Sequence, residues 1–379
     1  MAILFSALVL FAACKKDSDS HVPPVTEPLS VVAAKAGDTI RIHGTNFSED
    51  ASQDKVSFNG VAGAVVSASA TEIVVIIPEG ATSGNVTVTV YGNTVEAGSL
   101  TINPLTLYSI RETQVSAGNY TYELVAIDPV TAAVTALLTL PNNFTIGNLI
   151  YLPATNELVG IDYDGLRLMK INVATKQTTA LTLPLNGNQF YELLELDKAG
   201  NLYTTGFVRN GVDATYTITQ INPATANTTP VTVFKKGLYG LSYIPATNML
   251  VGMSGQSMQK YNLTTKDTSS VKIATTGTPT YENLVVDNNS NLYGFKVFNG
   301  ATNYSQIVKL DAATGAETVV TTLNDDEPIF ELFYLAKRNE ILSIWKSTSL
   351  YRYNLGTNTS TQTALTTAAN VSFYEMTSN

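Results

Sequence analysis

A four-residue pattern, Asp or Asn followed three places later by Thr, constrains this chain more than any other feature. It occurs as Asp128-Pro-Val-Thr131, Asn172-Val-Ala-Thr175, Asn222-Pro-Ala-Thr225, Asn262-Leu-Thr-Thr265, Asp311-Ala-Ala-Thr314 and Asn354-Leu-Gly-Thr357. By subtraction of first positions, the copies lie 44, 50, 40, 49 and 43 residues apart. Each follows an alternating apolar stretch and precedes a Thr-rich one. An Asp or Asn side chain can accept hydrogen bonds from backbone amides two residues on, so the pattern is a turn with a mechanism. Four strands per turn at this period predict six radially packed sheets, a β-propeller.

Reading strands around the turns predicts how the ring closes. The second unit reads as strands over 148–152, 158–161, 166–172 and 177–183. The first unit lacks an inner strand, because 107–111 already reads as a second strand. A spare inner strand appears at 371–376. The C-terminal strand is therefore expected to complete the first blade and remove the open edges. Six aligned second-strand positions, Ser109, Gly160, Thr204, Gly252, Gly294 and Ser343, are all small. Close packing near the axis explains them, with a larger side chain colliding with the neighbouring blade.

A third register concerns function. Aligning inner strands on Leu152, Leu196, Ile244, Val286 and Leu335 and stepping back four gives Asn148, Glu192, Gly240, Glu282 and Glu331, with Glu375 by analogy. One place earlier stand Gly147, Tyr191, Tyr239, Tyr281, Phe330 and Tyr374. At one mouth of a central channel these would form a ring of carboxylates beside aromatic rings. Such a ring could hold a hard cation such as calcium through oxygen ligands, or a cationic or hydroxyl-rich ligand. The competing reading is structural: the glutamates would bond backbone amides of the adjacent blade, and the rings would wedge between sheets. Trp345, the cluster Asp325-Asp326-Glu327, and the pair Asp162 and Asp164 are weaker candidates, better read as packing, a solvated loop and a turn.

Upstream, residues 29–103 alternate like a small sandwich, with strands signalled at 39–43, 55–58, 72–77 and 85–91 and a tight turn at Asn59-Gly60. Ala36-Gly37-Asp38-Thr39, His43-Gly44-Thr45-Asn46-Phe47, Val56-Ser-Phe-Asn-Gly60, Ile77-Pro78 and Gly84-Asn85-Val86-Thr87-Val88 together resemble the IPT/TIG family of immunoglobulin-like domains. That resemblance implies a spacer or protein-contact module, with His43 structural at a strand end.

Residues 3–13 form an apolar run too short to span a bilayer. It reads as a signal-peptide core, although no Lys or Arg precedes it. Phe11-Ala12-Ala13-Cys14 resembles a bacterial lipobox, which would make Cys14 the lipidated first residue of the mature chain; an ordinary secretory signal is the alternative. Lys15-Lys16-Asp17-Ser18-Asp19 resembles the export tag of Bacteroidetes-type surface lipoproteins. Residues 15–28, with Pro23, Pro24 and Pro28, read as a flexible tether.

Composition excludes several chemistries. The net charge is −9, with five basic and ten acidic residues over 1–103 and 17 and 21 over the rest, so no basic stripe exists for nucleic acid. The only cysteine is Cys14 and the only histidines are His21 and His43, so the repeats hold neither His-assisted nucleophiles nor His-ligated zinc. No Gly-rich phosphate loop opens a helix. The expectation is an all-β, monomeric, non-catalytic surface lipoprotein of the outer membrane, whose propeller binds a glycan or a protein. The layout resembles Bacteroidetes glycan-binding lipoproteins. Two alternatives are a calcium-dependent lactonase-like or esterase-like hydrolase, using Asn148, Glu192, Glu282, Glu331 and Glu375, and a structural or adhesion platform.

Overall fold

The computed structural model describes residues 21–141, 146–162, 164–185, 189–210, 213–234, 237–298, 304–323, 331–345, 348–366 and 370–379. Cys14, Phe330 and Asp325 to Glu327 lie outside them. Every regular element among the described residues is a strand. The chain divides into two compact units, 1–104 and 105–379.

The first unit is a sandwich of a four-stranded and a five-stranded sheet. Thr39–Thr45 shows the cause most plainly: its residues alternate exposed and buried along the whole strand, as a pleated strand with one wet face must. Ile40, Ile42, Phe47, Val56, Phe58, Val75 and Val88 form the core between the sheets. Asn59 and Gly60 both take positive φ, 46° and 92°, as the hairpin turn requires. His43 pairs across strands with Glu72, at a strand end. The fold begins earlier than the expected boundary at 29: Val25–Thr26 pairs with Gly44 and Thr45, and Asn46 Nδ2 donates to the Pro23 carbonyl at 3.0 Å. Residues 23–28 thus belong to the sandwich and not to a tether. A two-residue edge strand flanked by prolines has too few positions to show alternation, which hides it from sequence reading.

The second unit contains six four-stranded antiparallel sheets, blades 1–6, among the described residues. Their inner strands are Val371–Ser378, Gly147–Leu152, Gln189–Leu196, Tyr239–Ile244, Thr280–Val286 and Phe333–Leu335. Val371–Ser378 pairs with Leu107–Ser116, so the C-terminal strand is the inner strand of the first blade. Six apolar clusters each join one blade to the next. The last, with Leu335, Leu342 and Leu350 of blade 6 against Leu107, Ile127, Phe373 and Met376 of blade 1, shuts the ring.

The repeated turn is built identically six times. In each, the Asp or Asn Oδ1 accepts the amides two and three residues on; for Asp128 these are Val130 at 2.8 Å and Thr131 at 2.7 Å. The fifth residue takes a left-handed φ: Ala132, Lys176, Ala226, Lys266, Gly315 and Asn358. Ala132 and Ala226 are fully buried against the preceding blade. The turns also serve as docking points. Arg352 of blade 6 donates to the Pro129 carbonyl at 2.8 Å and the Val130 carbonyl at 3.1 Å in blade 1. Lys260 of blade 4 likewise donates to the Ala312 carbonyl of blade 5 at 2.7 Å.

The small second-strand positions have a different cause from the one expected. A Cβ on Gly160 would lie 2.7 Å from the Gly147 carbonyl, and one on Gly252 would lie 2.8 Å from the Gly240 carbonyl. The obstruction is the inner strand of the same blade, which bulges there, and not the neighbouring blade.

Arg352→Ala should destabilise the ring by about 2–4 kcal/mol, because it strands buried carbonyls that a charged donor satisfied. Asn222→Ala should cost only about 1 kcal/mol, the scale of an exposed capping bond. Denaturant unfolding of the two variants checks the order.

Candidate functional site

Strands alternate direction, so the repeated turns and the ends of the inner strands share one face of the propeller. The hairpins joining second to third strands share the other. A cavity of about 550 Å3 lies on the axis and reaches the connections between inner and second strands on the first of these faces. Its walls come from the inner strands of blades 1–6, and its rim includes Asp197, Lys198, Pro245, Asp287, Asn288 and Ala336.

The expected ring of glutamates forms only in part. Each inner strand of blades 1–5 carries a bulge at the point where it meets the small second-strand residue. The pairs Leu194–Thr204, Leu241–Gly252, Leu284–Gly294 and Met376–Ser109 fix the true register. The residues preceding them are Leu193, Gly240, Asn283 and Glu375, and Asn148 and Glu331 take the same place in blades 2 and 6. Asn148, Gly240, Asn283 and Glu375 all adopt positive φ there. In blades 3 and 5 the register differs by one residue from the expected alignment: Asp197 and Asp287, not Leu196 and Val286, stand where blade 2 has Leu152. Their carboxylates replace an apolar side chain by organising the turn: Asp197 accepts from the amides of Ala199 and Asn201 at 2.9 Å each and from Asn201 Nδ2 at 2.7 Å, and Asp287 does the same with Asn289 and Asn291.

Glu192 consequently falls within the bulge and Glu282 just before it, both exposed and outside the cavity lining. The rings do not line it either. Tyr191 is buried and donates to the Pro184 carbonyl at 2.9 Å, Tyr281 is buried and donates to Glu317, and Tyr374 donates to Glu112 at 2.8 Å. Tyr239 is 62% exposed. Of the expected set, Asn148 and Glu331 reach the cavity.

Glu195 is the residue that the sequence reading missed. It stands opposite Tyr203 and lines the cavity wall. Its only sequence signal is a carboxylate inside the otherwise apolar run Leu193-Leu-Glu-Leu196.

The carboxyl groups here share a task. An inner strand has no partner on its axial edge, so its amides there need acceptors. Glu331 Oε2 accepts the Met376 amide of blade 1 at 2.8 Å. Glu375 accepts the amides of Asn148 and Leu149 in blade 2, and Glu195 accepts those of Leu196 and of Tyr243 in blade 4. Thr377 Oγ1 accepts the Tyr151 amide at 3.3 Å. Burial pushes Glu375 up to about 7 and Glu195 up to about 8, with the bonded amides pulling the other way. Burial, reinforced by the facing charge of Glu375, holds Glu331 well above the usual carboxyl range.

The weaker candidates are structural. Asp162 is buried, accepts the amides of Leu166 and Arg167 and pairs with the Arg167 side chain at 2.7 Å. Asp164 is exposed. Trp345 packs in the core between blades 5 and 6, 5.9 Å from Tyr351. Among the described residues no group of three or more His, Cys, Asp or Glu side chains is placed to hold a metal ion.

Residues 24–108 match the IPT/TIG domain family. A comparison with curated proteins gave no match. Among solved structures, the chain is similar to a protein of unknown function from Bacteroides thetaiotaomicron, at 15% identity and TM-score 0.53, covering 91% of this chain and 87% of that one. It is also similar to TolB from Acinetobacter baumannii, at 11% identity and TM-score 0.52, covering 73% and 66%. An auxiliary nutrient binding protein from Bacteroides ovatus aligns more loosely, at 12% identity and TM-score 0.47 over 90% and 86%. Likeness at these identities bears on fold alone.

Folded-state carboxyl groups held above the ordinary value of 4.5 favour the fold while protonated. Their contribution should be complete below about pH 4.5, and lost as pH rises through about 7 for Glu375 and about 8 for Glu195. Unfolding measured across this window should show falling stability, and Glu375→Gln should flatten the lower part of the slope.

Proposed function

We propose that this chain is a non-catalytic binding protein, anchored to the outer membrane of a bacterium by a lipid on Cys14 and exposed at the surface. The propeller receives a glycan or a protein ligand, and the IPT/TIG unit is the spacer. The observation that carries the binding role is the cavity of about 550 Å3, with mixed polar and apolar walls, on the axis of a closed ring. Its size lies in the usual range for small-ligand sites, and a concave pocket suits a glycan end better than a flat protein surface. The anchoring half rests on the apolar run at 3–13 and the lipobox-like Phe11-Ala12-Ala13-Cys14.

Each half has its own test. In a lipoprotein-exporting host, Cys14→Ser should move the protein from the membrane pellet to the soluble fraction, while the unaltered chain should be cleaved by protease added to intact cells. On a glycan array, the chain should retain a defined glycan class. No retained glycan, alongside a stoichiometric protein partner, would replace the glycan reading with a protein one.

A further inference from the structure

We infer that the axial cavity takes an uncharged, hydroxyl-rich ligand, a neutral sugar, held by the side-chain amides of Asn148 and Asn283 and the carboxyl groups of Glu195 and Glu331. This rests on the cavity being the binding site. The wall offers amide, hydroxyl and carboxyl groups from every part of the ring. Sugar hydroxyls both donate and accept, and such mixed groups satisfy them in both senses.

Anions fit poorly. Lys198 is the one cation among the described lining residues, and it stands in the turn at the rim beside Asp197. A phosphate, sulfate or uronate inside the cavity would therefore meet no deep positive group.

Cations fit poorly for a different reason. Asp197 and Asp287 already accept three nitrogen donors each from their own turns, so a bound ammonium would compete with the backbone that shapes the rim. Deeper in, burial pushes Glu195 up to about 8, which keeps it protonated at pH 6.5, and holds Glu331 well above the usual carboxyl range. A neutral carboxyl presents one donor and one acceptor site, much as an amide does. The surroundings of Glu195 reinforce this. Tyr203 stands opposite it on the second strand, and the neighbouring inner strands of blades 2 and 4 contribute no charged residue. Across the cavity stand Glu331 and Asp287, and Asp197 and Lys198 follow it on its own strand and turn.

The test is calorimetric titration of the full chain at pH 6.5 with a panel of neutral disaccharides, with glucuronate as the anion and spermidine as the cation. A neutral disaccharide should bind at millimolar concentration or better, with glucuronate and spermidine silent. Asn148 and Asn283 have φ of 54° and 46°, which glycine tolerates, so Asn148→Gly with Asn283→Gly removes both amides without straining the backbone. That double variant should melt like the parent and lose at least about tenfold in affinity. Binding of spermidine or glucuronate without any neutral sugar would overturn the ligand class and leave the cavity as the site. Silence from every probe, or a binding neutral sugar indifferent to the double variant, would overturn the cavity itself.

Discussion

A four-stranded sheet exposes two apolar faces and two unpaired edges, and cannot stand alone. In this propeller each face is buried only by the next blade, so the contact between blades is what everything else depends on. The six apolar clusters span consecutive blades and never lie within one. A ring is the arrangement that leaves no face uncovered. It demands that chain ends meet, and Val371–Ser378 meets this demand by pairing with Leu107–Ser116.

Closing the ring moves the edge problem to the axis, where six inner strands present amides to a common space. Side chains of blades 6, 1 and 3 reach to the next blade to satisfy some of them: Glu331 to Met376, Glu375 to Asn148 and Leu149, Thr377 to Tyr151, Glu195 to Tyr243. These bonds explain why carboxyl groups gather at the axis, and burial there raises the pKa of each. The structural need and the character of the cavity thus share one origin. Glu375 also holds a left-handed backbone that glutamate disfavours, with φ 53°, as expected where surrounding bonds dictate the conformation.

The outer rim repeats the logic with other atoms. Each Asx turn closes locally on its own amides, then offers carbonyls to its neighbour, as Pro129 and Val130 do to Arg352 and Ala312 does to Lys260. Blades also alternate. The odd blades carry long hairpins, such as Leu107–Ser116 with Asn119–Ile127 and Leu202–Asn210 with Asp213–Ile221; blade 2 has the short pair Glu157–Ile161 and Arg167–Asn172. The uneven spacings of the repeated turn, 44, 50, 40, 49 and 43 residues, are this alternation written in the sequence.

The amino-acid order alone determined the strands, the six turns, the sandwich and the closing role of the C-terminal strand. Those features arise from residues within a few positions of one another, from period-two burial, or from a repeat that copies them. It also carried the IPT/TIG resemblance over residues 29–103, within the 24–108 that match the family. The register of the inner strands was different. A bulge adds a residue to one strand of a pair and leaves no trace in alternation, so Glu192 and Glu282 are expected at the level of Asn148 and Glu331 although they lie outside the cavity lining. Tyr191, Tyr281 and Tyr374 are expected beside them, although their hydroxyls are bonded elsewhere: Tyr191 to the connection before its blade, Tyr281 and Tyr374 within theirs. Glu195 was passed over because its neighbours look like core. Only the tertiary structure could decide these points, since each of these carboxyls bonds an amide of another blade, about 45 to 230 residues away in the chain.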